Sequence, residues 1–379
     1  MKRLFRIRQS AKMLVQHLLL PAAYLIGCRK PVKKGRIVFA DAHHGSTPES
    51  MAQLVRAARQ PEAGFEVVEW YRDFGRMGAL RQLRESAAFM KLYATAQTVV
   101  ICDNFLPVSS CRKRRGTTVV QLWHGSGAFK RFGYDAPEDI PSYYKGHVYR
   151  NYDLVTVSGT ACVGPFAGAM RLPKKVVQPV GVCRMDACLS EAWRQECREE
   201  FRRLYPEARG RKVLLWAPTF RGNAGAPEAA GIPEMERLAK ALSDEWLVVM
   251  SLHPHLRRTI TDERYFGRMP SERMLPAADL FVTDYSSLLY DACLQRRRVL
   301  IFAPDLEEFE RGRGTYMPLS DFPGIIVRRG ENLAPAVEQT MAAYDFQKQQ
   351  KFVQNWLGAC DGHATERVLH FIRERAGEK

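Results

Sequence analysis

The sequence predicts an α/β protein made of two doubly wound domains facing a cleft, and three observations carry that expectation. At 379 residues the chain exceeds one ordinary core and suits two domains of roughly 150 to 200 residues. Short apolar runs rich in Val and Ile alternate with helical stretches from Arg36 onward, the pattern of parallel strands covered on both faces. The alternation then begins a second time after a charged helical connection over 181–210.

Taken in order, the first set of strands is RIVFA (36–40), FEVVEW (65–70), TVVIC (98–102), TTVVQLW (117–123) and LVTVS (154–158). A helix follows the first strand. Thr47 is its expected cap and Pro48 its first residue, Leu54, Val55 and Ala58 lie on one face, and Pro61 stops it. The second set is KVLLWAP (212–218), WLVVMSL (246–252), DLFVT (279–283), RVLIFA (298–303) and GIIV (324–327). Between its first two strands, GNAGAPEAAG (222–231) reads as a mobile loop. The expected divisions are a basic and apolar segment 1–35, a first domain 36–183, a second domain 184–345 and a helical C-terminal segment 346–379.

The charge balance of 57 Lys and Arg against 41 Asp and Glu gives a net +16, a field that attracts polyanions. Ten of the basic residues fall within the first 36 positions without one acid, as expected of a segment resting on anionic lipid. Between them, MLVQHLLLPAAYLIGC (13–28) contains Gln16, His17 and Pro21 and falls short of the roughly 20 clean apolar residues of a spanning helix. An in-plane amphipathic helix fits better, with Leu14, Leu18 and Tyr24 towards lipid and the basic side chains snorkelling outward. An export signal ending in LIGC and an ordinary buried helix are the rivals; Arg29 and Lys30, directly after LIGC, speak against export. Nine cysteines stand singly with no Cys-x-x-Cys pair, which favours a reduced compartment.

In doubly wound sheets ligands bind at the carboxyl ends of strands, and here those ends are all polar. His124 follows a strand and precedes Gly125. An imidazole accepts a proton from a hydroxyl near neutral pH; the alternative is a structural histidine. In SLHPH, Pro254 keeps His253 extended. His253 and His255 would otherwise chelate a metal, but no third ligand has recognisable spacing. APTFRG places Thr219 and Arg221 at a strand exit, where a guanidinium grips phosphate in a bidentate fashion or simply faces solvent. TDYSSLLYD puts Ser286 and Ser287 before a helix, as anion ligands or as a cap; Asp291 is either a ribose ligand or a solvated helix residue. Arg311 and Arg313, among glycines, suggest a phosphate-facing loop. The absence of G-x-x-x-x-G-K-[ST] and of G-x-G-x-x-G excludes P-loop and dinucleotide chemistry. Without zinc spacings or a basic groove interleaved with aromatics, no nucleic-acid partner is expected.

Together LWHGSGAFKRFG, PVGVCRMD, LLWAPTFRG, LHPH, AADLFVTDYSSLLYD, PDLEEFERGRGTYM, DFPG and DGHATERVLHFI, in this order over 36–372, resemble the CDP-glycerol glycerophosphotransferase family of teichoic acid primases, polymerases and capsule polymerases. The resemblance implies a GT-B-type fold of two Rossmann-like domains. It also implies transfer of a polyol phosphate, glycerol phosphate first and ribitol phosphate as the alternative, from CDP-glycerol or CDP-ribitol. The acceptor would be a hydroxyl of a polyprenyl-diphosphate-linked saccharide or polyol phosphate at the cytoplasmic membrane face, and CMP would be released. By resemblance His124 is the base, and His253 steadies the donor phosphates or protonates the leaving group. Thr219, Arg221, Thr283, Ser286 and Ser287 would line the diphosphate, with Lys130 and Arg313 as additions there and Gly125, Pro254, Asp284 and Asp291 as further substrate-binding positions. No metal or other cofactor is expected. Ser126 to Lys130 depart from the family's usual Thr, Pro, Leu and Lys, and Cys183 and Met185 from its usual Pro and Asn; both departures blur the choice of polyol. A nucleotide-sugar glycosyltransferase of the same architecture is the competing enzyme.

Overall fold

In the computed structural model, which describes residues 10–223 and 226–377, the two sets of β-branched runs form two separate parallel sheets. The first contains β1 (Lys33–Asp41), β2 (Glu66–Tyr71), β3 (Ala96–Ile101), β4 (Thr118–Gln121), β5 (Leu154–Thr156) and β6 (Val177–Gln178), in the order β2-β1-β3-β4-β5-β6. Ile37 of β1 pairs with Val67 on one side and Thr98 on the other, which brings the β-branched positions into register across the sheet. Two-residue β6 carries too little apolar sequence to be legible as a strand.

The second set begins with β7 (Lys212–Trp216) and continues, after a hairpin of β8 (Arg221–Asn223) and β9 (Ala226–Glu228), with β10 (Trp246–Met250), β11 (Leu280–Thr283), β12 (Arg298–Ala303) and β13 (Ile325–Arg328). The sheet order is β10-β7-β11-β12-β13. Both sheets therefore start in the middle, step to one side, and resume on the other, a 2-1-3 order with a topological switch point between its first and third strands.

The chain divides into two compact units, one of residues 1–124, 132–187 and 359–379, the other of residues 125–131 and 188–358. This differs from the four segments expected from sequence, because apolar periodicity does not tell which core a terminal helix joins. Helices α1 (Leu20–Gly27), α2 (Glu49–Ala58), α3 (Ala79–Tyr93) and α4 (Val163–Met170) precede the connecting helix α5 (Glu191–Leu204). After α6 (Ile232–Ala241), α7 (Leu288–Leu294), α8 (Leu306–Gly312), α9 (Leu333–Ala343) and α10 (Phe346–Leu357), the last helix α11 (Ala364–Ala376) returns to the first unit. There Val368 and Ile372 share a core with Leu54, Val55, Phe39 and Val120. Asp186 tethers the start of α11 by accepting from Ala364 N (3.1 Å) and Thr365 N (2.7 Å). The second core joins Trp216, Val282, Leu300 and Phe302 of the sheet to Leu238 of α6 and Val337 of α9. Each such buried side chain contributes about 1.5 to 3 kcal/mol relative to exposure.

Three local expectations are corrected. Pro48, not Thr47, occupies the cap position of α2, without a side-chain cap bond; the Thr47 hydroxyl instead donates to Glu69 Oε2 at 2.7 Å. The stretch 222–231 begins in an antiparallel pairing of Arg221 with Glu228 and Asn223 with Ala226, strands of three residues that are too short to be legible from composition. Finally, Tyr24 is buried against Tyr93, with ring centroids 5.1 Å apart, and so does not face lipid. Gln16 is fully buried as well: its Nε2 donates to the His147 carbonyl and its Oε1 accepts from Tyr144 Oη. Leu14, Leu18, Leu19, Leu25 and Ile26 remain exposed on this helical stretch, which includes one π-helical turn over Val15–Leu19. Lys2, Arg3, Arg6 and Arg8 of the expected basic cluster lie outside the described residues. Among the described residues no helix is long and apolar enough to cross a membrane.

Candidate active site

In the first unit, His124 follows β4 by three residues, directly after a backbone outlier. Trp123 has φ +59°, a left-handed conformation that costs a bulky L-residue about 1 to 2 kcal/mol and tends to persist at functional sites. Packing over-determines it. Trp123 N donates to Gln121 Oε1 (2.9 Å), and Gln121 Nε2 donates to the Asp103 carbonyl (2.9 Å). The indole stacks on the His124 ring with centroids 4.7 Å apart and planes at 25°, and Phe132 and Phe166 close its other sides. Arg184 Nε donates to the His124 carbonyl at 3.3 Å. The His124 side chain is 52% exposed, so the ring is held but accessible.

Around it stand acids and histidines to which sequence motifs alone assign no role. Asp103, two positions after β3, has Oδ2 3.6 Å from His124 Nδ1 and 3.9 Å from His43 Nε2. Asp41, buried at the end of β1, accepts from His43 N and His44 N (both 2.7 Å) and faces His44 Nδ1 at 2.9 Å. An acid just beyond the last residue of a strand bordering the switch point is the signal that would have found Asp103.

In the second unit, the segment 125–131 is zipped against 314–316. Lys130 bridges Thr315, Arg131 N donates to Gly314 O (3.1 Å), and Tyr316 N donates to Phe129 O (2.7 Å). Arg313 Nε donates to the Arg131 carbonyl at 2.9 Å. Gly127, at φ +68°, leaves no room for a Cβ against the Tyr290 ring. Two loops far apart in sequence, each with the residue types of a phosphate-facing loop, are thus one structure. Gly125 is partly exposed at its start.

His253 is extended (φ −60°, ψ 136°) ahead of Pro254, which opens a single-turn helix, and its Nδ1 accepts from His255 N at 3.2 Å. That bond fixes the tautomer: the neutral ring carries its proton on Nε2. Burial, then the neighbouring His255 and Lys130, push its pKa down to about 4. Phe220 packs on both rings at 4.8 and 5.4 Å.

Arg221 is not a free guanidinium. It forks onto Asp305 through Nε to Oδ2 and Nη2 to Oδ1 (2.9 Å), and reaches Asp284 Oδ2 through Nη1 (2.8 Å). Asp284 also accepts from Thr219 N (2.8 Å), Thr219 Oγ1 (3.0 Å) and Tyr285 N (2.6 Å). Tyr285 donates to Asp305 Oδ1 (3.2 Å) and stacks on Phe309 at 3.6 Å. Burial pushes the Asp305 carboxyl up, and the Arg221 guanidinium more than offsets it, leaving the pKa below its ordinary value. Arg221 and Thr219, expected beside the donor diphosphate, and Asp284, expected as a substrate-binding position, are thus bonded to one another and, through Arg221, to Asp305. Thr283 is likewise engaged: its buried hydroxyl donates to the Ala217 carbonyl at 2.7 Å, tying β11 to β7. Ser287 occupies the cap position of α7 without a side-chain cap bond, and Ser286 Oγ accepts from Leu288 N (3.2 Å). Ser287 stays partly exposed, whereas Asp291 is 1% exposed and so neither solvated nor open to a ribose. Among the described residues, no group of three or more His, Cys, Asp or Glu could hold a metal ion.

The family model for CDP-glycerol:poly(glycerophosphate) glycerophosphotransferases matches residues 22–374. The teichoic acid ribitol-phosphate primase of Bacillus spizizenii is 30% identical over 363 residues, covering 92% of this chain and 93% of that protein. The teichoic acid glycerol-phosphate primase of Bacillus subtilis is 27% identical over 290 residues, 72% of this chain and 73% of the relative. The chain spans 56% of the poly(ribitol-phosphate) polymerase of Bacillus spizizenii, about half of that longer protein. Among solved structures, a variant of the wall teichoic acid polymerase TagF soaked with CDPG superposes with a TM-score of 0.76 at 19% identity, covering 100% of this chain and 98% of the other; at that identity the likeness speaks to the fold alone. A family model that runs through nearly all the chain, strand-end motifs included, places it in the CDP-glycerol:poly(glycerophosphate) glycerophosphotransferase family, to which it belongs.

Proposed function

We propose that the chain, with Rossmann-like units of GT-B type, moves a polyol phosphate from a CDP-activated polyol to a hydroxyl of a lipid-linked acceptor in teichoic-acid-type polymer synthesis. The observation that carries the reading is the accessible imidazole of His124 at the tip of a parallel strand, its ring stacked on Trp123 and its backbone carbonyl held by Arg184. Its Nε2 takes the acceptor hydroxyl proton as the oxygen attacks the polyol-bearing phosphorus; the bond from that phosphorus to the bridging oxygen breaks, and CMP leaves. Nε2–H of neutral His253 donates to a diphosphate oxygen, with Lys130 as the nearby cation and the Ser287 hydroxyl as a further donor. Such transfers depend on positioning and on charge stabilisation at non-bridging oxygens. Arg221, Asp284 and Asp305 form an ion-paired network of their own in the same unit.

CDP-ribitol stands level with CDP-glycerol as the donor, since a ribitol-phosphate primase matches over 92% of the chain and the family model names glycerophosphate. The exposed Leu14, Leu18 and Leu25, next to Lys12, Arg29 and Lys30, support peripheral attachment to an anionic membrane surface, where a polyprenyl-linked acceptor resides. The deciding experiment gives the protein a synthetic lipid acceptor with CDP-glycerol, CDP-ribitol or UDP-sugars in turn and identifies the nucleotide released. CMP from one CDP-polyol is the expected result; UDP release with no CMP overturns the proposal in favour of a glycosyltransferase. Vesicle co-sedimentation of Leu18→Glu/Leu25→Glu checks the membrane face, with loss of binding expected.

A further inference from the structure

We infer that Asp103 is the positioning residue for the His124 base, an inference that rests on the transferase reading above. The two side chains leave adjacent parallel strands whose ends are in register, with Ile101 of β3 opposite Gln121 of β4. The Asp103 backbone is pinned by Gln121 Nε2, and its Oδ1 accepts from Asn104 N at 2.6 Å. Oδ2 is thereby turned towards the imidazoles, 3.6 Å from His124 Nδ1. A separation slightly beyond hydrogen-bond length is common before substrate binds and closes in the complex. Among the described residues the only ion-pair partners of Asp103 are the His124 and His43 rings, so no arginine or lysine competes for its charge.

The consequence is a choice of tautomer. A carboxylate beside Nδ1 holds the proton there and leaves the Nε2 lone pair exposed, the one nitrogen able to accept from a hydroxyl. It also stabilises the imidazolium once the proton has moved, the part a buried aspartate plays in hydrolase triads. Stacking on Trp123 fixes the ring plane, and Asp103 fixes which edge faces outward. His43 Nε2 lies 3.9 Å from the same oxygen, beyond hydrogen-bond length.

The test uses the full-length protein with the lipid acceptor and both CDP-polyols, comparing wild type with Asp103→Asn, Asp103→Glu and His124→Ala. It adds long-range proton–nitrogen NMR of 15N-histidine-labelled protein, with the His124 signals identified by their absence in His124→Ala. Wild type should carry the His124 proton on Nδ1. Asp103→Asn should move it to Nε2 and lower kcat by about 10³-fold to 10⁴-fold, with the donor KM within about threefold, and Asp103→Glu should recover part of both. A His124 protonated on Nε2 in wild type overturns the inference, whether or not any variant folds or turns over. So does an Asp103→Asn enzyme with wild-type kcat. If His124→Ala keeps full turnover, the base assignment fails; if His124→Ala is inactive while Asp103→Asn is not, only the role of Asp103 fails.

Discussion

The two sheets share one winding order, yet their switch points are filled in opposite ways. Between β1 and β3, and on the adjoining tip of β4, the first unit presents histidines and an acid at the surface: the His124 side chain is 52% exposed and Asp103 35%. Between β7 and β11 the second unit closes the same position with Arg221 and Asp284, whose side chains are 18% and 2% exposed. The same winding order thus carries an open edge of histidines and an acid in one unit and a largely buried ionic platform in the other. A single substitution should damage activity without stability in the first and stability before activity in the second.

The largest effect that would break this contrast is at His124. His124→Ala is expected to lower turnover by about 10⁴-fold or more, while unfolding free energy changes by no more than about 0.5 kcal/mol, because the ring is exposed and its backbone contacts survive. Steady-state kinetics beside urea unfolding reads both. A large stability loss would mean that the tip of β4 is locked into the fold as firmly as the platform.

Arg221→Ala should invert the pattern. It leaves the Asp284 and Asp305 carboxylates without their cation, and removing one partner of a buried network costs about 3 to 5 kcal/mol. Arg221→Lys should fall between, since an ammonium cannot reproduce the fork onto Asp305. The sign with pH follows from Asp305, whose pKa is depressed in the folded chain. Its contribution is present above the ordinary carboxylate pKa and is lost as pH falls through the depressed value. Acid unfolding of Arg221→Ala should therefore show less of this loss than wild type, because the depression is already gone.

These two sites also differ in how far the sequence disclosed them. Strands were legible because β-branched runs such as RIVFA and RVLIFA have one comfortable environment, and strand ends flagged His124, His253 and Arg221 as chemistry-bearing. What Arg221 pairs with was not legible: Asp305 lies 84 positions away, and only the order β7-β11-β12 makes them neighbours. Asp103 was missed for the same reason, since its meaning comes from the neighbouring strand. Tyr24 was misplaced because a helix that is apolar all round does not announce which face finds Tyr93 and which stays bare. The return of α11 to the first core was hidden too, its amphipathic period being satisfied equally by either sheet.

A smaller effect sharpens the comparison inside the loop that joins the two strand-tip motifs. Gly127→Ala puts a side chain at φ +68° and into the Tyr290 ring. The left-handed backbone costs about 1 to 2 kcal/mol and the overpacking about 1 to 3 kcal/mol more. Thermal unfolding should register this as destabilisation of the second unit. An unchanged midpoint would mean that segment 125–131 is loosely held.

The smallest expected effect concerns His253 and is visible only as a pH slope. Burial, helped by His255 and Lys130, holds its pKa at about 4 against an ordinary 6.5. The unfolded chain therefore binds a proton between these values that the folded chain does not. Stability is fully present above about pH 6.5 and declines as pH falls towards the folded value. His253→Gln has no proton to take up in either state, so its midpoint should fall less between pH 7 and pH 5 than that of wild type. Lys130→Met should lie between the two, because removing the cation relieves only part of the depression. If wild type and His253→Gln show the same slope, the ring is protonated as readily folded as unfolded. The neutral Nε2–H donor assigned to the second unit would then be lost, and with it the division between a platform that binds and an edge that reacts.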